Sequence, residues 1–261
     1  MFRKIAAKSV LGGGQTLTNF GSCTRGDVVW LSPPNDAIGW RAYRLVQIIQ
    51  SGGMSVRELA ARVADVSLTG DDSGGNGTYG TTEFVDDGAF TQSPTLVGDL
   101  FVHTDDAGAA GGLPEGEFAV IKFQDESGDD FITFESDFPL SAAGADSDTA
   151  VVRRMWRGDD AADADFRFNI LGVCPAAFSA NDYGYVQAFG VVDVVLVNTV
   201  APTINTGLKA AAVGVTGDGT DGFEENIGIA LATVSAGGDG ARIPMHIDVI
   251  FGMVGGSADN D

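Results

Sequence analysis

Cysteine and histidine are almost missing from this chain, and their scarcity removes several kinds of chemistry. Only Cys23, Cys174, His103 and His246 are present, with no C-x-x-C or H-x-x-x-H spacing, so no zinc-type ligand set is legible. Two thiols so far apart in sequence make no disulfide framework and read as reduced and buried. No stretch approaches the roughly 18 apolar residues of a membrane span, and the N-terminus lacks the apolar core of a signal peptide. Positive charge is scarce as well: 15 Lys and Arg stand against 36 Asp and Glu, a net charge of −21. Such a surface repels nucleic-acid phosphates and anionic lipid. There is no G-x-S-x-G elbow, no P-loop, and no glycine fingerprint opening a βαβ unit. Paired carboxylates abound in so acidic a chain and therefore say little about glycoside hydrolysis. His103 followed by Asp105 and Asp106 reads as a surface pair at a strand end. No catalytic residue, cofactor or metal ligand is assigned.

What is plentiful is glycine, 37 of 261 residues, about twice the usual ~7%. Many glycines between short apolar runs favour strands and turns over helices. The expectation is a mainly β chain: a β-barrel or sandwich body with one short helix and a flexible N-terminal arm. Four sections follow from composition and turn signals. They are a basic arm over 1–26, a β-rich domain over 27–165, a barrel-like C-terminal domain over 166–256, and a polar tail over 257–261.

The arm holds Arg3, Lys4, Lys8 and Arg25 and none of the chain's acids, so these four are the candidates for contact with an acidic neighbour. Strands are expected at Val28–Leu31 and from Trp40 to Ile49, where Arg41 and Arg44 read as snorkelling or salt-bridged side chains. The helix is expected over 55–64, with Ser55 and Glu58 as a capping box and Met54 and Leu59 as a staple. The Asp71–Asp72 loop and the run Thr216–Gly222 lack calcium-loop spacing and read as turns. Phe118–Phe123 and Phe131–Phe134 form a hairpin. Val151–Arg157 reads as a strand whose Arg153, Arg154 and Arg157 are the one basic cluster of the body, a candidate intersubunit network or a partner for the acids of 158–165. At the end, Ile243, Met245, Ile247, Val249, Phe251 and Met253 alternate with Pro244, His246 and Asp248, the period of a strand. Pro244 suits an edge strand or a strand start. Ile250 and Val254 break the polar face and are candidates for an interface between subunits.

The motifs V-G-D-L-F-V from Val97, P-E-G-E-F-A-V-I-K from Pro114 and F-E-S-D-F-P from Phe134 resemble a recurrent module of tailed-bacteriophage structural proteins. The runs I-L-G-V and D-Y-G-Y-V-Q-A-F-G do so too. The closing I-G-I-A-L, glycine-rich turn and long apolar strand are similar to the barrel end of phage capsid decoration, or cement, proteins. The resemblance spans roughly Val97–Gly252. It implies a non-enzymatic virion protein on the outside of the capsid, a homotrimer, with the major capsid protein as partner and no nucleic-acid or membrane contact. A rival reading is a tail or receptor-binding module with a glycan site built on Tyr183, Tyr185 and Phe189.

Overall fold

The computed structural model describes residues 25–31, 39–71, 80–86, 90, 95–106, 112–125, 131–137, 139–160, 169–197, 201–217, 226–234 and 241–250. The described strands form two compact units, one drawn from up to Arg62 and from Trp156 onward, the other from Val63–Met155. The smaller is thus inserted into the larger. This replaces the linear division at 165/166, because strands from both ends of the chain hydrogen-bond in one sheet.

In the larger unit, β1 is Val28–Leu31, β2 Arg41–Ile48 and β3 Leu59–Arg62. After the insertion come β10 at Arg157–Asp160, β11 at Ile170–Val173 and β12 at Tyr183–Val195. β13 is Gly207–Ala211, β14 Gly214–Gly217, β15 Asn226–Ala230 and β16 Arg242–Asp248. The order β2-β10-β3-β11-β12, with β12 pairing back onto β2, closes a five-stranded barrel. So small a barrel has room only for side chains. Val46, Ile48, Ala60, Leu171 and Val186 fill it, with Met54, Cys174 and Phe178 in the same cluster. Gly158 packs closely there: a Cβ would sit 2.8 Å from Ile48 Cδ1, the movable end of that side chain. Burial, and next the nearby Glu58, push the Cys174 thiol well above its ordinary range, so it is an inert packing group. Cys23 lies outside the described residues.

β12 is long enough to serve two structures. Its first half pairs with β2, and from Phe189 onward it pairs with β16. The change falls at a register shift between Gln187 and Phe189, next to Gly190 with φ +97°, a conformation that favours glycine. β16, β15, β13 and β14 continue from β12, and a bridge from Leu196 to Val215 returns β14 to its end. Val192, Val194, Leu208, Val215, Ile227, Ile243, Met245 and Ile247 form this second core, with Leu59, Ile170 and Val173 from β3 and β11. The expected alternation of the closing strand holds over β16, where Ile243, Met245 and Ile247 are fully buried while Pro244, His246 and Asp248 are half-buried; Val249, past its end, is half-buried like its neighbours, and Phe251 and Met253 lie outside the described residues. β16 is interior rather than an edge. Pro244 is tolerated because it stands opposite Leu231, one residue beyond the end of β15, where its carbonyl still accepts from the Leu231 N–H at 2.9 Å.

The smaller unit is a six-stranded antiparallel sheet in the order β4-β9-β6-β7-β8-β5. The strands are β4 Val66–Thr69, β5 Glu83–Val85, β6 Leu100–Asp105, β7 Phe118–Gln124, β8 Phe131–Phe134 and β9 Thr149–Arg153. It curls until its outer strands meet: Asp71 bridges Asp86, and the Thr69 N–H donates to Asp86 Oδ2 at 2.7 Å. These contacts tie one end of each edge strand to the other and leave the sheet a half-barrel. Phe84, Phe101 and Phe134 stack at 5.0 and 4.9 Å in the core with Leu68, Ala119, Ile121, Ala150 and Val152. The β7–β8 hairpin is as the sequence predicts.

Two further expectations are overturned. No helix forms over 55–64. Half of the capping box is made, with the Ser55 N–H donating to Glu58 Oε2 at 2.6 Å. Arg57, however, has φ +74°, which ends the turn, and Leu59–Arg62 pairs with β10 on one side and β11 on the other. Val151–Arg157 is not one strand: β9 ends at Arg153, a turn follows, and β10 starts at Arg157 in the larger unit.

Candidate interaction surfaces

Among the described residues no group of three or more His, Cys, Asp or Glu side chains is placed to hold a metal. His103 is not a surface residue. It is fully buried in the smaller unit, with Nδ1 3.2 Å from the Pro114 carbonyl and Nε2 3.7 Å from Asp148 Oδ2. Asp148 is itself buried and accepts the Ala145 N–H at 2.8 Å. The pair belongs to the core and is closed to a substrate.

The basic cluster is dispersed. Arg157 is only 1% exposed and Arg154 9%, so neither can meet a neighbouring subunit as expected. Arg153 does face outward, with its guanidinium Nη1 donating to Asp65 Oδ2 at 2.7 Å. Ile250 is half-buried just past β16, its N–H 3.3 Å from Asp248 Oδ1. Val254, Arg3, Lys4 and Lys8 lie outside the described residues. Arg25 is half-buried in a turn whose next residue, Gly26, donates its N–H to the Leu45 carbonyl at 2.7 Å. That turn is therefore part of the body. Arg44 lies over the Trp156 ring, 4.9 Å from its centroid, and burial lowers its pKa; stacking on the ring offsets part of that desolvation.

Among the described residues of the smaller unit, the most exposed apolar side chains, Phe118 and Phe123, stand on the outward face of its sheet. Phe101, Ala119, Ile121, Ala150 and Val152 point inward, so their neighbours point out. Val102 is flanked by Val151 on β9 and Phe118 on β7, and Leu100 by Arg153 and Val120. Phe118 is 55% exposed and Phe123 49%. Phe123 is presented by a register shift in β7 and stands 6.1 Å from the Phe131 ring. The sequence alone showed these strands but not which of their residues stay uncovered. Buried Phe101 and exposed Phe118 are the same residue type, and only strand register separates them.

The larger unit carries an aromatic row. Phe189 stands 5.4 Å from Trp30 and 5.1 Å from His246, the last an edge contact, and all three are half-buried. Of the expected glycan candidates, Tyr185 is buried and Tyr183 packs beside it with Tyr43 and Leu45. Only Phe189 lies in the row. No protein-family model matches the chain, and neither a curated protein nor a solved structure does.

Proposed function

We propose that this chain is a structural virion protein that binds the outside of a tailed-phage capsid and stabilises the shell. The observation that carries the reading is where the resembling motifs fall. V-G-D-L-F-V leads into β6, and P-E-G-E-F-A-V-I-K leads into β7. These two strands present Leu100, Val102, Phe118, Val120 and Phe123 outward. An uncovered apolar face of this kind marks a surface for protein contact. Holding a shell depends on buried area summed over many copies, where avidity multiplies modest single contacts. The basic segment ahead of the body supplies charge of the sign that an acidic shell attracts, and the major capsid protein is the partner in this reading. A trimer is the assembly that the resemblance implies.

The test is copy number by quantitative mass spectrometry of purified virions. Hundreds of copies per particle are expected, and absence from the particle would sink the reading. A handful of copies would favour the rival, a tail or receptor-binding module. That rival draws its support from the Trp30–Phe189–His246 row, since aromatic faces with polar neighbours suit saccharide rings.

A second prediction concerns the basic segment. Because Gly26 is bonded to β2, the informative deletion removes residues 1–24 only. It is expected to lower capsid occupancy at least about 10-fold at low salt, with a smaller difference at high salt as screening shortens the Debye length. The circular dichroism spectrum of the body is expected to be unchanged. Full occupancy by the truncated chain would remove any docking role for Arg3, Lys4 and Lys8.

A further inference from the structure

We infer that the larger unit carries a shallow site for a short acidic saccharide, with Arg44 holding the carboxylate and the Trp30–Phe189–His246 row supporting the sugar rings. The inference goes beyond the virion reading, since it uses no residue of β6 or β7 and needs no capsid. Strand register builds the site. Trp30 and Phe189 both stand opposite Ala42 of β2, one from each side, and their rings meet at 5.4 Å. Arg44, two residues further along β2, lies on that same face, between Val28 and Val186. Beyond β12, Phe189 is opposite Asp248 of β16 and Val191 is opposite His246. The strip therefore crosses β1, β2, β12 and β16, with Arg44 near one end and His246 and Asp248 at the other.

Arg44 selects the ligand. The chain holds 36 acids, yet among the described residues none pairs with this arginine, and its buried Nε has no hydrogen-bond partner. Trp156 stacks on the guanidinium at 4.9 Å. That ring is itself pinned against Gly26, where a Cβ would come within 2.6 Å of it. A guanidinium held by one face presents its N–H edge, a fork that a carboxylate matches with two bonds. The arginine is already ordered and desolvated in the folded chain, so an arriving carboxylate meets a prepared partner. The half-buried rings of Trp30 and Phe189 suit the C–H side of a sugar, and His246 offers a ring nitrogen to its hydroxyls.

Charge and size narrow the choice. Asp248, and Asp193 opposite Pro244, repel a carboxylate at their end of the strip, which directs the ligand's acid to Arg44. The net charge of −21 disfavours a long polyanion, but beyond about 8 Å it is largely screened at physiological salt, so one or two ligand carboxylates feel mainly Arg44. Four strands about 4.8 Å apart and two rows nearly 7 Å apart cover about 100 Å². A standard protein interface buries ~800 Å² on each partner, so the strip fits a few sugar rings better than an acidic protein surface.

The test is titration calorimetry of the full chain with a galacturonic acid tetramer, a neutral galactose tetramer and a glutamate tetrapeptide. The uronate is expected to bind with a Kd below about 1 mM. It should bind at least about 10-fold more tightly than the neutral tetramer, the effect of one charge-assisted hydrogen bond. Arg44→Gln should bring uronate binding down to the neutral level, and Arg44→Lys, which keeps the charge but not the fork, should fall between. Tryptophan fluorescence of the unaltered chain needs no variant: the uronate should change the emission, because Trp30 and Trp156 lie to either side of Arg44. No saturable uronate binding, equal binding of the two saccharides, or a glutamate peptide that binds as tightly as the uronate overturns the inference. The last outcome would make the strip a docking point for acidic protein segments. Uronate binding by a chain absent from virions would sink the virion reading alone. Virion occupancy by a chain that ignores the uronate would sink this inference alone.

Discussion

Gly190→Val is expected to lower the melting temperature of the larger unit by roughly 12 °C, from a loss of about 4 kcal/mol. Two costs combine. At φ +97° a branched residue is strained, and its Cβ would meet the Trp40 carbonyl oxygen at 2.5 Å and Arg41 Cγ at 3.0 Å. The carbonyl cannot yield without moving the strand that closes the barrel. Gly190 also stands opposite Ile247 of β16, so the damage falls where β12 passes from one core to the other. Tryptophan fluorescence reports this unit alone, since Trp30, Trp40 and Trp156 are the chain's three tryptophans. Gly39→Ala is the control. At φ +76° it carries the backbone strain, but a Cβ there meets nothing within 4 Å, so a much smaller drop is expected. Equal drops would show that crowding at Gly190 contributes nothing.

Asp148→Ala is expected to cost the smaller unit about 3 kcal/mol, because buried polar groups that lose their partner keep their desolvation penalty. The Ala145 N–H would lose its acceptor, and His103 Nε2 would face a void in place of a carboxylate 3.7 Å away. The residue is also held through its backbone, with the Gly70 N–H donating to its carbonyl at 2.7 Å. Hydrogen exchange of β6 and β9 amides is the measurement, and faster exchange confined to this unit is the expected result. Asp148→Asn retains an acceptor for Ala145 and should lose less. If the alanine and asparagine variants exchange alike, the Ala145 bond is not what holds this turn.

Strands were legible in longer runs where one face is apolar and the other is not, while short ones such as β4, Val66–Thr69, went unread. β16 could be read residue by residue because Ile243, Met245 and Ile247 alternate with polar neighbours. The β7–β8 hairpin was legible from its turn. β3 was not. Leu59, Ala60, Ala61 and Arg62 read as a helix because strands hydrogen-bonded on both sides and buried on both faces lose their period-2 signature, while the Ser55–Glu58 signal is real but extends one turn only. Tertiary pairing with β10 and β11 decided that segment. Insertion was equally hidden, since nothing local says that β10 belongs beside β2 and β3 rather than beside its sequence neighbour β9. Of the candidate contact residues, Arg153 was found exposed. Arg157 was not, because charge in a sequence does not disclose burial.

The insertion has one more consequence. Its two ends leave and rejoin the barrel on adjacent antiparallel strands, with Arg62 opposite Gly158, a separation of about 5 Å. A gap that short is what a tight hairpin connection spans. The host barrel can therefore lose this cassette, or accept another, at the expense of a single connection. The two units are free to diversify at different rates, and a foreign domain grafted between Arg62 and Trp156 in place of the insertion is expected to leave the barrel folded.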